Sequence, residues 1–498
     1  MNVNPITRLD YPDPDVIRVE DTYYMVSTTM HFMPGCEILQ SFDLVHWEHA
    51  TYVYETLDHT DAQQLKSGQN IYGQGMWAAS LRYHEGRFYI CFVANDTRKT
   101  YLYTSEKIDG PWKKQLIEGF YHDGSLLFDE DGRNYIVYGN DEIWITELNE
   151  DLTAPKKDGL HRLLVSDHKN PELGYEGSHI QKINGYYYIF LIHSLRDRWM
   201  RTEACFYSDS LEGEFTGGDV LCDDRGYCGQ GVAQGGIVDT PDGKWYAMLF
   251  QDSGAVGRIP ILVPVTWKDH FPFFGQNGHV PEEIEVHSTR PGYIYQPLVG
   301  SDDFCNGLLP RWQFNHDPDP RYYHLDALQG TYTITTREVC TELTQAVNTL
   351  TQRMSYPSCA AEVTVDASAL KEGDVAGLCA LQGCYAAVGI TKHHGKYEVL
   401  MLDKKEDGIL DMTEGTVVES HQMDFRLEAD FCNMKDEARC YYRVNKGDWL
   451  PIGTVHKLYF KLDHFTGCRF GLFCYAAEET GGSACFRDFK YYDVDEIS

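Results

Sequence analysis

Positive charge, long apolar runs and paired cysteines are all scarce or absent in this sequence of 498 residues. The 43 lysines and arginines are outnumbered by 75 aspartates and glutamates, and the formal net charge of −32 argues against a nucleic-acid partner or an anionic membrane surface. No apolar stretch approaches the length of a membrane span. The fifteen cysteines form neither a CxxC pair nor a regular framework, so we expect free thiols rather than disulfides or metal ligands.

Two further absences concern targeting and secondary structure. The first residues, Met1 to Pro5, lack the basic start and apolar run of a secretion signal, and with the free cysteines this predicts a cytoplasmic protein. Sustained helical periodicity is almost missing, whereas short β-branched and aromatic runs alternate with Gly, Asp and Asn. We therefore expect an all-β chain, and its length predicts two large domains.

The sequence contains one short phrase five times, a tight turn followed by aromatic and aliphatic residues. The copies lie at 21–25, 86–90, 132–136, 185–189 and 243–247. This spacing suits blades of about four strands and predicts a five-bladed β-propeller over residues 1–295. Near residue 295 the phrase stops and alternating strands continue, which predicts a jelly-roll-like C-terminal β-sandwich over residues 296–498.

The position eight or nine residues before each turn is the most informative one. It holds Asp13, Trp77, Asp123, Glu176 and Gln234 in the five copies. Equivalent positions of a radial repeat converge on one axis, so three carboxylates are expected to meet there. Taken alone, Asp13 is better explained as a turn aspartate between prolines, and Asp123 as an Asx-turn residue. Their matched positions in matched repeats favour a catalytic site.

Three converging acids suit the hydrolysis of glycosidic bonds. An inverting glycosidase uses one carboxylate to activate water and one protonated carboxyl to donate to the leaving oxygen, roughly 6.5–9.5 Å apart. A third acid nearby raises the pKa of the proton donor by like-charge repulsion and orients it.

The same residues resemble glycoside hydrolase family 43 in their order along the chain. The matching motifs are Asp13-Pro14, Trp77-Ala78, Asp123-Gly124-Ser125, Glu176-Gly177 and Arg258 in Val256-Gly257-Arg258. The family comprises five-bladed propellers that act as inverting β-xylosidases, α-L-arabinofuranosidases and endo-arabinanases, and many members carry a C-terminal sandwich.

The resemblance implies a role for each of these residues. Asp13 would be the general base, Asp123 the residue that modulates the pKa and orientation of the acid, and Glu176 the general acid. Trp77 would be a stacking platform for the sugar, and Arg258 would bind a sugar hydroxyl or hold Glu176. Phe32 either lines the pocket wall opposite Trp77 or belongs to the core.

Two departures from the family pattern bear on cofactors and subsites. Many members have a histidine beside a hydrated calcium ion where this chain has Gln234, whose neutral amide can hydrogen-bond a sugar or a metal-bound water. We predict no metal ligands and no required cofactor, and leave open a structural Ca²⁺ near the propeller centre. The other departure is Trp77-Ala78-Ala79-Ser80, where many members have Trp-Ala-Pro followed by an acid.

The predicted function is an exo-acting, inverting glycoside hydrolase. It would release terminal α-L-arabinofuranose from arabinoxylan-type hemicellulose oligosaccharides, which are its expected partners. A β-D-xylosidase, or a dual xylosidase and arabinofuranosidase, is the second expectation. A non-catalytic carbohydrate-binding protein is the alternative of another class, and the sequence predicts no particular oligomeric state.

Overall fold

A computed structural model describes residues 4–413 and 415–493 of the chain. Five antiparallel sheets of four or five strands follow one another along the first part of the chain. The strands of the first two blades and their connections are β1 (Asp15–Val19), β2 (Thr22–Ser27), β3 (Phe32–Met33), β4 (Gly35–Ser41), β5 (Glu48–Tyr54), β6 (Met76–His84), β7 (Arg87–Ala94), β8 (Lys99–Ser105) and β9 (Lys113–Ile117).

The remaining three blades repeat this arrangement. Their strands are β10 (Ser125–Phe128), β11 (Asn134–Asn140), β12 (Glu142–Leu148), β13 (His161–Ser166), β14 (Glu176–Ile183), β15 (Tyr186–Ser194), β16 (Arg201–Ser208), β17 (Thr216–Leu221), β18 (Val232–Ala233), β19 (Ile237–Asp239), β20 (Trp245–Asp252), β21 (Arg258–Lys268) and β22 (Phe271–Phe274). In the fifth blade β18 and β19 both pair with β20 and together replace a single inner strand.

Two larger sheets form the C-terminal sandwich. Their strands are β23 (Gln313–Asn315), β24 (Tyr323–Asp326), β25 (Thr331–Thr335), β26 (Leu350–Arg353), β27 (Ser358–Asp366), β28 (Asp374–Leu381), β29 (Tyr385–His393), β30 (Lys396–Lys404), β31 (Leu410–Met412), β32 (Thr416–Val418), β33 (Gln422–Asp430), β34 (Glu437–Val444), β35 (Leu450–Lys457), β36 (Arg469–Ala476) and β37 (Ser483–Asp493). The largest buried apolar cluster lies between these two sheets.

The repeated phrase is the hairpin between the first and second strands of a blade. Gly86, Gly132, Gly185 and Gly243 each have a positive φ between 78° and 85°, and an added Cβ atom would meet no heavy atom within 4 Å. Backbone conformation rather than crowding therefore favours glycine at these four turns. The predicted five-bladed propeller and C-terminal sandwich are confirmed.

The N-terminal segment fastens the first blade to the fifth. Ile6 N–H donates to the Pro260 carbonyl at 2.9 Å, and Tyr11 N–H donates to the Arg258 carbonyl at 3.0 Å. The Asn4 side chain exchanges two hydrogen bonds with the backbone of Leu262, at 2.8 and 2.9 Å. These bonds close the ring and place the residues just before β1 beside the start of β21.

The propeller and the sandwich share one sheet. Strand β3 leaves the first blade and pairs with β23 of the sandwich. A buried ion pair of 2.8 Å joins Arg353 to Glu37, and Asp10 accepts hydrogen bonds from the backbone of both Arg258 and Gly467. The two domains are thus joined by buried polar contacts as well as by backbone pairing.

The connection between the domains carries no strand among the described residues from 275 to 312, and the boundary proposed near residue 295 lies within it. The helical segments in the described chain are four 3₁₀ turns, Lys66–Gly68, Gly254–Val256, Leu343–Gln345 and Cys432–Met434. None of these segments has the length and apolar character of a membrane-spanning helix.

All fifteen cysteines are free and ten are buried, as the sequence predicts.

Candidate active site

A cavity of about 580 Å³ opens where the first strands of the five blades begin. Six of the seven residues predicted for the site line it, namely Asp13, Trp77, Asp123, Glu176, Gln234 and Arg258. Each blade therefore contributes a side chain to one cavity, as the radial repeat predicts.

Phe32 is the predicted site residue that the structure does not bring to this cavity. It lies in β3, is fully buried, and has the Arg469 guanidinium 3.4 Å from its ring centroid. Because β3 pairs with β23, the Phe32 side chain is buried at the contact between the domains. The core role that the sequence left open for Phe32 is the one observed.

Left-handed backbone conformations occur where each blade meets the cavity. The φ angles are 52° at Asp13, 25° at Ala78, 48° at Asp123, 64° at Gly177 and 58° at Gln234. For a residue other than glycine such a conformation costs of order 1–3 kcal/mol and persists only where the surroundings impose it. These kinks sit at or directly beside the site residues, so the backbone is bent to aim those side chains inward.

Asp13 is held by two donors from different parts of the propeller. Thr28 Oγ1 donates to Asp13 Oδ2 at 2.7 Å, and Arg258 Nη1 donates to Asp13 Oδ1 at 2.9 Å. Both Asp13 and Arg258 are buried, so solvent has little access to this ion pair. A buried, ion-paired carboxylate with fixed orientation is suited to accept a proton from a water molecule.

Asp123 and Glu176 form a close pair on the neighbouring blades. The backbone N–H of Gly177 donates to Asp123 Oδ2 at 2.9 Å, which ties the third blade to the fourth. Burial raises the pKa of Asp123 to about 6; His122 opposes this shift, and the charges of Glu176 and Asp13 add to it. Asp123 therefore keeps its proton to a higher pH than an ordinary aspartate does.

Glu176 shows the opposite shift. Burial works to raise the pKa of Glu176, but the adjacent His122, with Arg201 and Arg258, outweighs it and lowers the pKa. Asn140 Nδ2 also donates to Glu176 Oε2 at 2.8 Å. The sequence predicts a raised pKa for the acid through like-charge repulsion. Of the three cationic side chains that reverse the direction, it placed only Arg258 near Glu176.

His122 is the main residue that sequence reasoning missed. Its Nε2 atom lies 3.6 Å from Asp123 Oδ2 and 3.6 Å from Glu176 Oε2. The charge of Asp123 is the largest cause of a rise in the pKa of His122 to about 9, against the opposing effect of burial. The sequence could have indicated His122 because it directly precedes Asp123, and both residues line the cavity just before the first strand of the third blade.

Arg201 and Asp252 were missed as well. Arg201 Nε lies 2.7 Å from Asp252 Oδ2, and Arg258 Nε lies 3.4 Å from Asp252 Oδ1. Asp252 therefore bridges two guanidinium groups that line the cavity. Arg201 and Asp252 stand outside the repeated phrase, so the sequence pattern gave no indication of them.

The sandwich domain supplies one wall of the cavity. Phe460, Lys461, Leu462 and Phe465 come from the loop before β36, and Met434 comes from the 3₁₀ turn Cys432–Met434. The Phe465 ring centroid lies 5.4 Å from that of Trp77. Removal of either domain would therefore leave the cavity incomplete.

This loop is anchored in the propeller by its own backbone and by a ring contact. Gly73 N–H donates to the carbonyl of His464 at 3.2 Å. The buried His464 ring stacks on Tyr72 with centroids 4.7 Å apart. The neighbouring Phe465 lies with its ring centroid 4.3 Å from the Arg258 guanidinium, so the loop is fixed against the site residues on two sides.

Ligand atoms of His122, Asp123 and Glu176 lie within 4.8 Å of one another, a spacing that would hold a metal ion and that no other group in the described chain has. Asp123 Oδ2 and Glu176 Oε2 already accept hydrogen bonds from Gly177 and Asn140. We therefore interpret the group as an acid–base cluster and assign no metal to it.

The surroundings of Gln234 bear on the calcium ion considered from the sequence. Its backbone N–H donates to Glu203 Oε2 at 2.7 Å, and its side chain packs so closely on Gly177 that an added Cβ there would lie 2.7 Å from it. Burial raises the pKa of Glu203 well above its usual range, which disfavours the ionised carboxylate that calcium prefers as a ligand. A structural calcium ion near the propeller centre stays a prediction.

Two family models match the chain. The model described as glycosyl hydrolases family 43 matches residues 3–272, and the model of a beta xylosidase C-terminal concanavalin A-like domain matches residues 301–492. The chain belongs to glycosyl hydrolase family 43 and is a glycoside hydrolase.

Individual relatives resemble the whole chain or about two thirds of it. A beta-xylosidase of Formosa agariphila is 26% identical over 99% of this chain and 89% of its own length. A non-reducing end alpha-L-arabinofuranosidase of Bacteroides ovatus is 26% identical over 66% of this chain and 63% of its own.

Solved structures show the same arrangement. A bifunctional GH43-CE protein of Bacteroides eggerthii superimposes with a TM-score of 0.92 at 42% identity, covering 100% of this chain and 64% of the longer protein. A GH43 glycoside hydrolase whose active site was engineered to display both endo-xylanase and exo-arabinofuranosidase activity superimposes with a TM-score of 0.86 at 27% identity, covering 99% of both chains.

Proposed function

We propose that this glycoside hydrolase releases terminal α-L-arabinofuranosyl units from arabinoxylan-type oligosaccharides with inversion of configuration. The observation that carries the proposal is the single cavity into which three different blades direct Asp13, Asp123 and Glu176. Relatives named both as beta-xylosidase and as alpha-L-arabinofuranosidase support a terminal pentose as the sugar that is removed.

In the proposed mechanism Asp13 accepts a proton from the water molecule that attacks the anomeric carbon. Glu176 donates its proton to the glycosidic oxygen, so the bond to the leaving group breaks as the bond to water forms. A bound sugar displaces water from the cavity, and this desolvation raises the pKa of Glu176 toward the range an acid needs. Arg258 holds Asp13, and Asp123 holds the backbone at the start of β14, where Glu176 lies.

Attack at chain ends is supported by the wall that the sandwich contributes. The loop carrying Phe460 and Phe465 closes one side of the cavity, which favours binding of a chain end over binding along a polymer. Trp77 and Phe465 supply flat apolar faces for the pentose ring, and Gln234 supplies an amide for its hydroxyls.

A cytoplasmic location and oligosaccharide substrates belong to the same proposal. The fifteen cysteines are free, as in proteins of reducing compartments, and imported fragments suit a closed cavity better than intact hemicellulose does. The net charge of −32 disfavours nucleic acids and anionic membranes as partners.

The second candidate is hydrolysis of terminal β-D-xylose, alone or with the arabinofuranosidase activity. It is favoured by the beta-xylosidase of Formosa agariphila, which matches almost the whole chain. Parallel kinetics on 4-nitrophenyl α-L-arabinofuranoside and β-D-xyloside decide between them, and the higher kcat/KM is expected for the arabinofuranoside. A higher value for the xyloside would replace the first candidate by the second, and binding without turnover of either would indicate a sugar-binding protein.

Replacing Phe465 by alanine is expected to lower kcat/KM for the preferred nitrophenyl glycoside by about 10- to 100-fold. The change removes one apolar face of the sugar pocket, and such pocket contacts are worth about 1–3 kcal/mol. Steady-state kinetics measure the effect. Phe273→Ala is the matched control, because Phe273 is a half-exposed phenylalanine of β22 that does not line the cavity. Equal activity of the Phe465 variant and the wild type would mean that Phe465 of the sandwich domain contributes nothing to the proposed site.

A further inference from the structure

The proposed mechanism gives no task to His122. Its Nε2 atom is equidistant, at 3.6 Å, from one oxygen of Asp123 and one of Glu176. This atom is buried and has no hydrogen-bond partner within the described chain, although 22% of the side chain is exposed. The imidazole Nε2 atom thus lies at the same distance from both carboxyl groups.

We propose that His122 is a positioning residue whose positive charge sets the protonation equilibrium of the Asp123–Glu176 pair and thereby the upper pH limit of hydrolysis. The proposal rests on the proposed role of Glu176 as the proton donor. It assigns to a histidine from the third blade a function that the three acids alone do not provide.

Six other charged groups line the cavity, and all of them except Glu172 have an ion-pair partner elsewhere. They are Asp13 before β1, Glu172 before β14, Arg201 in β16, Asp252 at the end of β20, Arg258 at the start of β21, and Lys461 in the sandwich loop. Arg258 is paired with Asp13, Arg201 with Asp252, and Lys461 with Glu406. Among the described residues, His122 is therefore the cationic side chain placed directly between Asp123 and Glu176.

The direction of the effect follows from the charge. A cation next to the two carboxyl groups favours loss of a proton from the pair, so Glu176 loses its catalytic proton at a lower pH. A neutral side chain at position 122 removes this attraction and leaves the repulsion between Asp123 and Glu176. Glu176 then keeps its proton to higher pH, and activity extends further into the alkaline range.

The test compares His122→Gln with His122→Lys, which removes or retains the positive charge. The pH profile of kcat/KM is measured on xylobiose and on an arabinose-substituted xylotriose, whose leaving groups need a proton. The alkaline limb of the Gln variant is expected to move up by about one pH unit, and that of the Lys variant to stay within a few tenths of the wild type. Unchanged limbs in both variants, or the same shift in both, would overturn the proposal.

A second measurement does not depend on catalysis. His122 has an ordinary pKa of 6.5 and a pKa of about 9 in the folded chain. Its contribution to folding is therefore complete below pH 6.5 and is lost as the pH rises through 9. The difference in Tm between wild type and His122→Gln should shrink from pH 6 to pH 10. A constant difference would mean that His122 acts only through packing, whereas lack of turnover by the wild type would contradict the proposed function itself.

Discussion

Replacing Glu176 by glutamine is expected to slow hydrolysis of xylobiose or arabinoxylan oligosaccharides about 10³-fold, while nitrophenyl glycosides lose about tenfold or less. A sugar alkoxide leaves only when it is protonated, whereas nitrophenolate leaves as an anion. Glutamine keeps the side-chain shape and can still contact Asn140 but has no acidic proton to give. The ratio of the two rate losses, measured by steady-state kinetics, therefore reports specifically on proton donation.

Glu172→Gln is the matched control, because Glu172 lines the same cavity and is exposed. Its kcat on both kinds of substrate should stay within about threefold of the wild type. Near-normal hydrolysis of oligosaccharides by the Glu176 variant would refute the assignment of Glu176 as the acid. Equal losses on both kinds of substrate would instead indicate that Glu176 supports sugar binding.

Replacing Asp13 by asparagine is expected to lower kcat by about 10³-fold or more, and by the same factor for oligosaccharides and nitrophenyl glycosides. Activation of the attacking water is needed whatever the leaving group is, so the loss should be insensitive to it. This pattern is the opposite of that expected for Glu176, and the two variants together separate base from acid.

The Asp13 variant needs a check on folding because its partner is a buried guanidinium. Arg258 would keep one ion pair, its longer contact with Asp252 at 3.4 Å, and a poorly compensated buried charge is destabilising. Thermal unfolding and circular dichroism should therefore accompany the kinetics, with the exposed Asp197→Asn as control. A folded Asp13 variant with more than a tenth of wild-type kcat would exclude Asp13 as the base.

The repeated phrase predicted both the architecture and most of the site for one physical reason. In a propeller the same register position of each blade faces the axis, so the spacing from Asp13 to its turn could be transferred to Asp123 and Glu176. The left-handed backbone at Asp13, Asp123 and Gln234 shows that these positions are equivalent in conformation as well as in register.

Contacts that cross between blades or domains could not be read from that register. Arg201 and Asp252 meet because β16 and β20 approach each other in space, and the repeated phrase does not include either residue. Phe465 reaches Trp77 from the second domain, almost four hundred positions away along the chain. The position of Phe32 depends on the pairing of β3 with β23, which again involves the second domain.

The pKa direction at Glu176 shows the same limit in energetic terms. Counting acids predicts repulsion and a raised pKa, but the outcome depends on which cations share the cavity. His122, Arg201 and Arg258 reverse the sign in the absence of a sugar. The pKa of Glu176 therefore depends on where all the nearby charges lie, and not only on how many acids occupy the matched position of the repeats.

The most direct test of the proposed mechanism is the configuration of the sugar at the moment of release. Proton NMR during the first turnovers of the preferred glycoside, faster than mutarotation, should show the anomer opposite to that of the substrate. Inversion is the result expected if Asp13 activates water for direct displacement and Glu176 supplies the proton. Release of the retained anomer would require a covalent intermediate on one of the acids and would contradict the mechanism.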